Sequence, residues 1–295
     1  MTAEALPTAP ASAAPRVTRS GPLRRLLRNR SGLAGVVLTG AVVLLAVLAG
    51  LGVLGDPVAQ DPAVRMQGPS GAHWFGTDQF GRDVLTRSAA GAANSLLIAV
   101  VAVAIAGLVG TTAGVLAGYL AGWTGRVVLG VTNVLFAFPP LLLALALASA
   151  VSRSRLTIAV AIAIVYIPIF VRVTRGPVLS LREAEFVRAG TVLGFSTGRI
   201  LLRHVLPNIT AIVIVQVTLS LSWAVLTEAS LSFLGLGTPP PAPSLGSMVL
   251  EARALVNTAW WTMAAPGAVV VLLVVGLNLL GDGLRDALDP KDRGT

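Results

Sequence analysis

Cysteine is absent from the 295 residues. That excludes a disulfide framework, a thiolate zinc site, an iron–sulfur cluster and a cysteine nucleophile. Lysine is almost absent, since Lys291 stands alone among 22 basic residues. A Walker A loop needs a lysine after its glycines to reach the phosphates, so the chain has no P-loop of its own. Two histidines, His73 and His204, lie far apart and form no His-Glu-x-x-His pair. Charge is scarce as well: 12% of residues, against ~25% in an ordinary soluble domain. What is abundant is apolar, with 55% hydrophobic residues and a mean hydropathy of +0.82. The net charge of +9 and pI near 11.5 would suggest nucleic acid in a soluble protein. In a chain whose solvent is mostly lipid, sparse charge gathered in blocks reads as membrane topology.

A spanning helix needs ~20 mostly apolar residues. Charge-free stretches run over Ser31–Gly55, Ser88–Gly125, Val127–Ser152, Leu156–Val171, His204–Thr227 and Ala254–Gly281. The fourth is short, and a snorkelling Arg172 extends it. The uncharged run Ala229–Leu250 is broken by Pro239–Pro241 and Pro243 and is read as a loop. The fold class is therefore an all-α polytopic membrane protein with six transmembrane helices. With the N-terminus inside, the inner segments hold sixteen basic residues and the outer ones six, so both termini are placed in the cytoplasm. Arg153 and Arg155 run against that bias. The chain divides into a basic arm over 1–32, the first span and outer loop over 33–93, and a five-helix core over 94–295 with a cytoplasmic loop at 172–208. Met1–Pro15 is expected to be disordered. Arg24–Arg25 before a long apolar run reads as an uncleaved signal anchor. Trp260 and Trp261 suit an aromatic belt at the outer mouth of the last span.

Several features invite a functional reading. Gly110, Gly114, Gly118 and Gly122, preceded by Ala102 and Ala106, share one helix face at four-residue spacing. Such a face admits a close backbone, either that of a partner or moving helix or that of another helix of this chain. Pro139, Pro140 and Pro168 interrupt spans and are candidates for kinks along a pathway. Intramembrane acids would mark an ion relay. Glu228, ~30 Å beyond Pro207 along a helix, is placed at the outer interface, and Asp282 at the inner end of the last span. Neither is deep, which counts against an ion-coupled secondary transporter. Gly194-Phe195-Ser196-Thr197-Gly198 matches a nucleophile elbow in letters only, because its flanks are helical and no later acid-then-His follows.

The loop 172–208 carries six arginines and reads as two short helices, Leu181–Leu193 and Thr197–Val205, joined at Gly194. Glycine there permits the positive φ of a tight turn. Tethered between two spans, this element reads as a docking surface for a cytoplasmic protein rather than a DNA-binding helix–turn–helix, and no nucleic-acid partner is expected.

This loop resembles the signature of ABC importer permeases: Glu-Ala-Ala, three residues, Gly, nine residues, Ile-x-Leu-Pro. Here the pattern reads Arg188-Ala189-Gly190, then Gly194, then His204-Val205-Leu206-Pro207. The segment His73-Trp74-Phe75-Gly76-Thr77-Asp78-Gln79-Phe80-Gly81-Arg82-Asp83 is similar to one in the C-type permease of dipeptide and oligopeptide importers. So are Ala137-Phe138-Pro139, Thr227–Gly237 and the tail Gly281–Pro290. The resemblance implies a type I ABC importer permease fold in a bacterial inner membrane. It implies a homologous B-type permease partner, two ATPase subunits or a fused pair, and an extracytoplasmic binding protein. The cargo would be a di- or oligopeptide, with nickel or glutathione as alternatives, and ATP and magnesium would belong to partner subunits, this chain binding no cofactor and catalysing nothing. The same resemblance makes Glu185, Arg188, Ala189, Gly190, Gly194, His204, Leu206 and Pro207 an ATPase-coupling loop. Arg188 stands where the family has Glu, so a specific salt bridge does not carry over, and Glu185, one turn earlier, is the candidate for compensation.

Overall fold

The computed structural model describes residues 22–120 and 122–288. The expected disorder of Met1–Pro15 and the tail beyond Leu288 lie outside the described residues. Eleven helices follow in chain order among those described: α1 (Pro22–Arg28), α2 (Arg30–Gly50), α3 (Val84–Tyr119), α4 (Gly122–Phe136), α5 (Pro140–Ser149), α6 (Arg155–Arg182), α7 (Glu185–Val192), α8 (Thr197–Ile200), α9 (Leu206–Phe233), α10 (Leu245–Ala252) and α11 (Trp261–Leu288). The only β pairing among described residues is an isolated bridge between Thr77 and Asp83.

Local chemistry sets the helix starts. A first turn leaves backbone N–H groups unpaired, and short polar side chains take them up. Asn29 Oδ1 accepts from Ser31 N (3.1 Å), Asp83 Oδ1 from Thr86 N (2.8 Å) and Ser154 Oγ from Thr157 N (3.1 Å). Ser244 and Ser247 form a reciprocal capping box at α10. Once started, the apolar runs stay helical because lipid offers the backbone no other hydrogen-bond partner.

Five helices are long and apolar enough to cross a membrane; α4 and α5 pass only as a pair, bent by 91°. Pro139 and Pro140 cause the break. Proline lacks the donor that would continue α4 and holds the residue before it extended. The packing nonetheless calls for a sixth crossing. Gly110 on α3 meets Ile167 and Phe170 on α6, Gly114 meets Val171 and Thr174, and Gly118 meets Arg175 and Val178. Residue numbers rise together, so α3 and α6 run parallel, and α4–α5 must carry the chain back between them. By the same test α9 runs antiparallel to α3, through Ser95–Glu228 and Gly107–Val217, and to α11, through Ser222–Asn278 and Leu219–Gly281. The chain therefore has one end with α1, α7, α8 and the end of α11, termed here the terminal end, and a distal end formed by residues 51–83, 150–154 and 234–260.

Several boundaries differ from the sequence expectation. The division at 93/94 falls inside α3, which already begins at Val84 because Asp83 caps it. The run Ala229–Leu250 is not all loop: α9 continues to Phe233 and α10 starts at Leu245, and the prolines break only the stretch between. The fourth span is a 28-residue helix through Arg182 that absorbs both Pro168 and Pro177. Accordingly the first helix of the 172–208 loop begins at Glu185, not Leu181. Its second does not end at Val205, because α8 runs on through a π turn, Leu201–Val205, into α9.

Candidate functional site

The segment between α6 and α9 is built around a glycine turn. α7 ends in a Schellman arrangement: Phe195 N donates to Gly190 O (3.0 Å) and Gly194 N to Thr191 O (3.0 Å). This closure puts the residue after the C-cap in the left-handed region, and Gly194 has φ +76° with open space around its Cα. A Cβ on Gly190 would stand 3.3 Å from the Phe195 ring, so an alanine there fits only with a small shift of that ring. The π turn then brings Leu206 N to Leu201 O. Pro207 follows it and has no N–H to close on the Arg203 carbonyl, which favours the wider turn at this point.

One face of this segment is anchored and the other is bare. Val187, Ile200, Leu201 and Val205 are buried in a cluster with Val115 of α3, Val178 of α6 and Ile209 of α9. Phe186, Val192, Leu193 and Leu202 point away from it, Val192 at 87% exposure. His204 is held by rings, stacked on Phe195 at 6.2 Å and tilted against Phe186 at 6.4 Å. Arg199 lies over the Phe195 ring at 5.3 Å. Arg188 pairs with Glu183 at the C-cap of α6. Glu185, the candidate to stand in for the family's Glu, is exposed and makes no ion pair among described residues, while Arg188 is taken within the chain by Glu183, two residues before it. The hydrogen bond from Arg188, and then its charge, hold the Glu183 carboxyl below its usual range. Ala189 and Pro207 are exposed, Leu206 is half-buried, and Ser196 holds the N-cap position of α8 without a side-chain cap hydrogen bond.

The glycine ladder is an intrachain seam. A Cβ on Gly110 would lie 2.6 Å from the Ile167 carbonyl oxygen, and one on Gly114 2.6 Å from that of Val171. Ala102 and Ala106 continue the same buried face. Gly122 does not belong to it: α3 ends at Tyr119, and Gly122 opens α4 with φ +63° and no neighbour within 4 Å. Pro168 is buried within α6, whereas Pro139 and Pro140 are exposed at the α4–α5 break.

At the distal end a polar cluster closes over the bundle. Asp78 Oδ1 accepts from the backbone N–H of Phe80 (2.8 Å) and Arg82 (3.0 Å), while its Oδ2 takes Arg82 Nε at 2.6 Å and Arg87 Nε at 3.5 Å. Glu251 Oε2, arriving from α10, receives Arg82 Nη2 at 3.2 Å and Arg87 Nη2 at 3.4 Å. His73 Nδ1 lies 2.9 Å from Asp83 Oδ2, and Trp261 Nε1 donates to Thr77 O at 3.1 Å. Glu251 was not foreseen, because it sits just past a run read as loop. The Asp78–Arg82 spacing was its one signal.

Glu228 is fully enclosed by protein, accepting from Ser95 Oγ (2.5 Å) and Ser232 Oγ (2.7 Å), a cover that its depth along α9 did not indicate. Counting along one helix missed the neighbours: α3 and α10 pack over this part of α9, with Gly246 seated against the Ala229 carbonyl. Asp282 is exposed at the terminal end, as expected. Among the described residues no group of three His, Cys, Asp or Glu could hold a metal.

Five long apolar spans and the bent α4–α5 pair around a small-residue seam, with an anchored two-helix turn between α6 and α9, define a polytopic membrane protein. Residues 110–294 match the family described as the binding-protein-dependent transport system inner membrane component, and the chain belongs to that family. It is 42% identical over 268 residues to a dipeptide transport system permease protein of Alkalihalophilus pseudofirmus, covering 91% of this chain and 88% of that one. A probable D,D-dipeptide transport system permease of Escherichia coli is 39% identical, with 81% and 80% covered. A glutathione transport system permease from another strain of that species is 44% identical, with 77% and 75% covered. The chain is thus a multi-pass inner-membrane permease of the ABC importer class.

Proposed function

We propose that this chain is one half of a heterodimeric pore that imports di- or oligopeptides, and that segment 183–205 couples it to ATPase subunits in the cytoplasm. The observation that carries this reading is the two-faced build of the segment. Phe186, Val192, Leu193 and Leu202 form an exposed apolar patch beyond the apolar spans, and such patches mark protein contacts. Behind them, Val187, Ile200, Leu201 and Val205 are packed into the ends of α3, α6 and α9. A push on the outer face therefore reaches three spanning helices at once, and packed interfaces respond by switching between discrete arrangements. α3 and α6, locked along their glycine seam, would move as one body. A homologous permease would supply the other half of the pathway, and an extracytoplasmic binding protein would deliver cargo. The chain performs no covalent step, and ATP with magnesium belongs to the partner subunits.

The test is affinity purification of the tagged chain from mild detergent, followed by an ATPase assay and uptake of a labelled dipeptide into proteoliposomes. Recovery of a second permease and an ATPase is expected. Val192→Asp with Leu193→Asp should lose the ATPase while retaining the second permease. A wild-type chain that purifies alone, yet transports under a proton gradient, overturns the reading. Competition between dipeptide and glutathione decides the cargo, since relatives carrying both names are similar to this chain.

A further inference from the structure

Beside the distal salt-bridge cluster lies a cleft of about 260 Å³, lined by Arg82, Arg87, Arg153, Thr238, Glu251 and the Pro239–Pro241 turn among others. Two of its guanidiniums are accounted for, because Arg82 and Arg87 share Asp78 and Glu251 between them. The third is surplus. Arg153 is exposed and has no hydrogen bond, ion pair or ring contact among described residues. It is also one of the two arginines that run against the charge bias of the loops, so membrane topology does not explain it. A hydroxyl lines the same space: Thr238 is 8% exposed and its Oγ1 accepts from Asn94 Nδ2 at 2.8 Å.

We infer that this cleft is a receiving site for the C-terminal carboxylate of a short peptide on its way from the binding protein to the pathway. Arginine presents a planar fork matched to a carboxylate, and the Thr238 hydroxyl adds a donor. Gly235 and Gly237 line the same cleft and carry no side chain to block a peptide backbone. The volume falls below the ~300–1,000 Å³ of sites that enclose a whole ligand, which suits one terminus of a chain whose remainder varies in length. The inference rests on the peptide-import reading.

The test uses the purified complex of this chain with its partner permease and ATPases, without binding protein, and follows thermal stabilisation by Ala-Phe, by Ala-Phe amide and by inorganic phosphate at equal concentration. Wild type should bind the free acid about tenfold more tightly than the amide, the ratio expected for one charge-assisted hydrogen-bonded contact. Phosphate should stabilise less than the free acid. Arg153→Gln should abolish the difference between acid and amide, and Arg153→Lys should keep part of it. Equal binding of acid and amide by wild type, no binding of either, or a preference untouched by Arg153→Gln overturns the inference. With binding protein then added, an Arg153→Gln effect confined to the concentration of that protein which half-activates the ATPase also overturns the inference, because Arg153 would then be a docking residue. In each case wild-type uptake of the labelled dipeptide reports separately on the peptide-import reading.

Discussion

Glycine takes two unlike roles here, and substitution separates them. At Gly110 and Gly114 the backbone is ordinary helix and the constraint is a neighbour: the carbonyl oxygens of Ile167 and Val171 stand where a Cβ would be. Lipid-facing apolar surface gives no net drive to bring helices together, so close packing of small residues must supply it. Gly114→Ala is expected to destabilise the complex by about 1–3 kcal/mol, the cost of overpacking. Gly130→Ala, on an exposed face of α4 with nothing within 4 Å, should be neutral or stabilising by up to ~1 kcal/mol through helix propensity. Thermal unfolding of the two variants in one detergent gives the comparison, and equal midpoints would remove the seam. At Gly194 the constraint is φ, not space, so any Cβ is strained there while the spans stay packed. The four-residue spacing made the first role readable from sequence. It also drew in Gly122, because periodicity continues past a helix end that only the turn at Leu120 reveals.

The link between α6 and α7 carries an exposed ion pair, Arg188 with Glu183, which Arg182 also approaches at 3.7 Å. Arg188 bonds Glu183, which lowers that carboxyl from its ordinary value of 4.5. A depressed folded value means the pair contributes above the unfolded value and is lost as pH falls through the folded one. Because both side chains are solvated, the contribution to global stability is small, and the measurable effect is local. Carboxyl-carbon NMR should find a Glu183 midpoint below 4.5 in wild type, rising toward its ordinary value in Arg188→Gln. A wild-type midpoint at or above 4.5 would mean that Arg188 is free to face a partner instead. Sequence offered no partner for Arg188 within the chain, because Leu181–Leu193 reads there as one unbroken helix. The helix starts later, and the break at Glu183–Ala184 folds the more distant acid back to the arginine. The site's position, its glycine joint and its prolines were legible as local chemistry. Which acid meets the arginine depended on a helix boundary, and boundaries are set by tertiary packing as much as by propensity.

Across the whole molecule, the apolar runs and their lengths were enough to count crossings, since lipid leaves the backbone few alternatives. What they could not give was the cover over Glu228 or the meeting of Asp78, Arg82, Arg87 and Glu251, because those contacts join segments remote in sequence. The weakest crossing is α4–α5. Its legs of ~22 and ~15 Å, at 1.5 Å per residue, fall short of the ~30 Å hydrocarbon core when taken alone. The parallel run of α3 and α6 still requires that the pair return the chain to the distal end. The absence of cysteine makes this directly testable, because single cysteines can be introduced into an otherwise unreactive chain. Thr197→Cys marks the terminal end, Gly71→Cys the distal end, and Ser149→Cys the last residue of α5; all three positions are exposed. With the basic loops in the cytoplasm, a membrane-impermeant maleimide should label Gly71→Cys and Ser149→Cys in intact spheroplasts, and Thr197→Cys only after permeabilisation. Exchange of Gly71→Cys and Thr197→Cys would invert the orientation. Ser149→Cys labelling together with Thr197→Cys would make α4–α5 a re-entrant hairpin, and the parallel packing of α3 against α6 could not then stand.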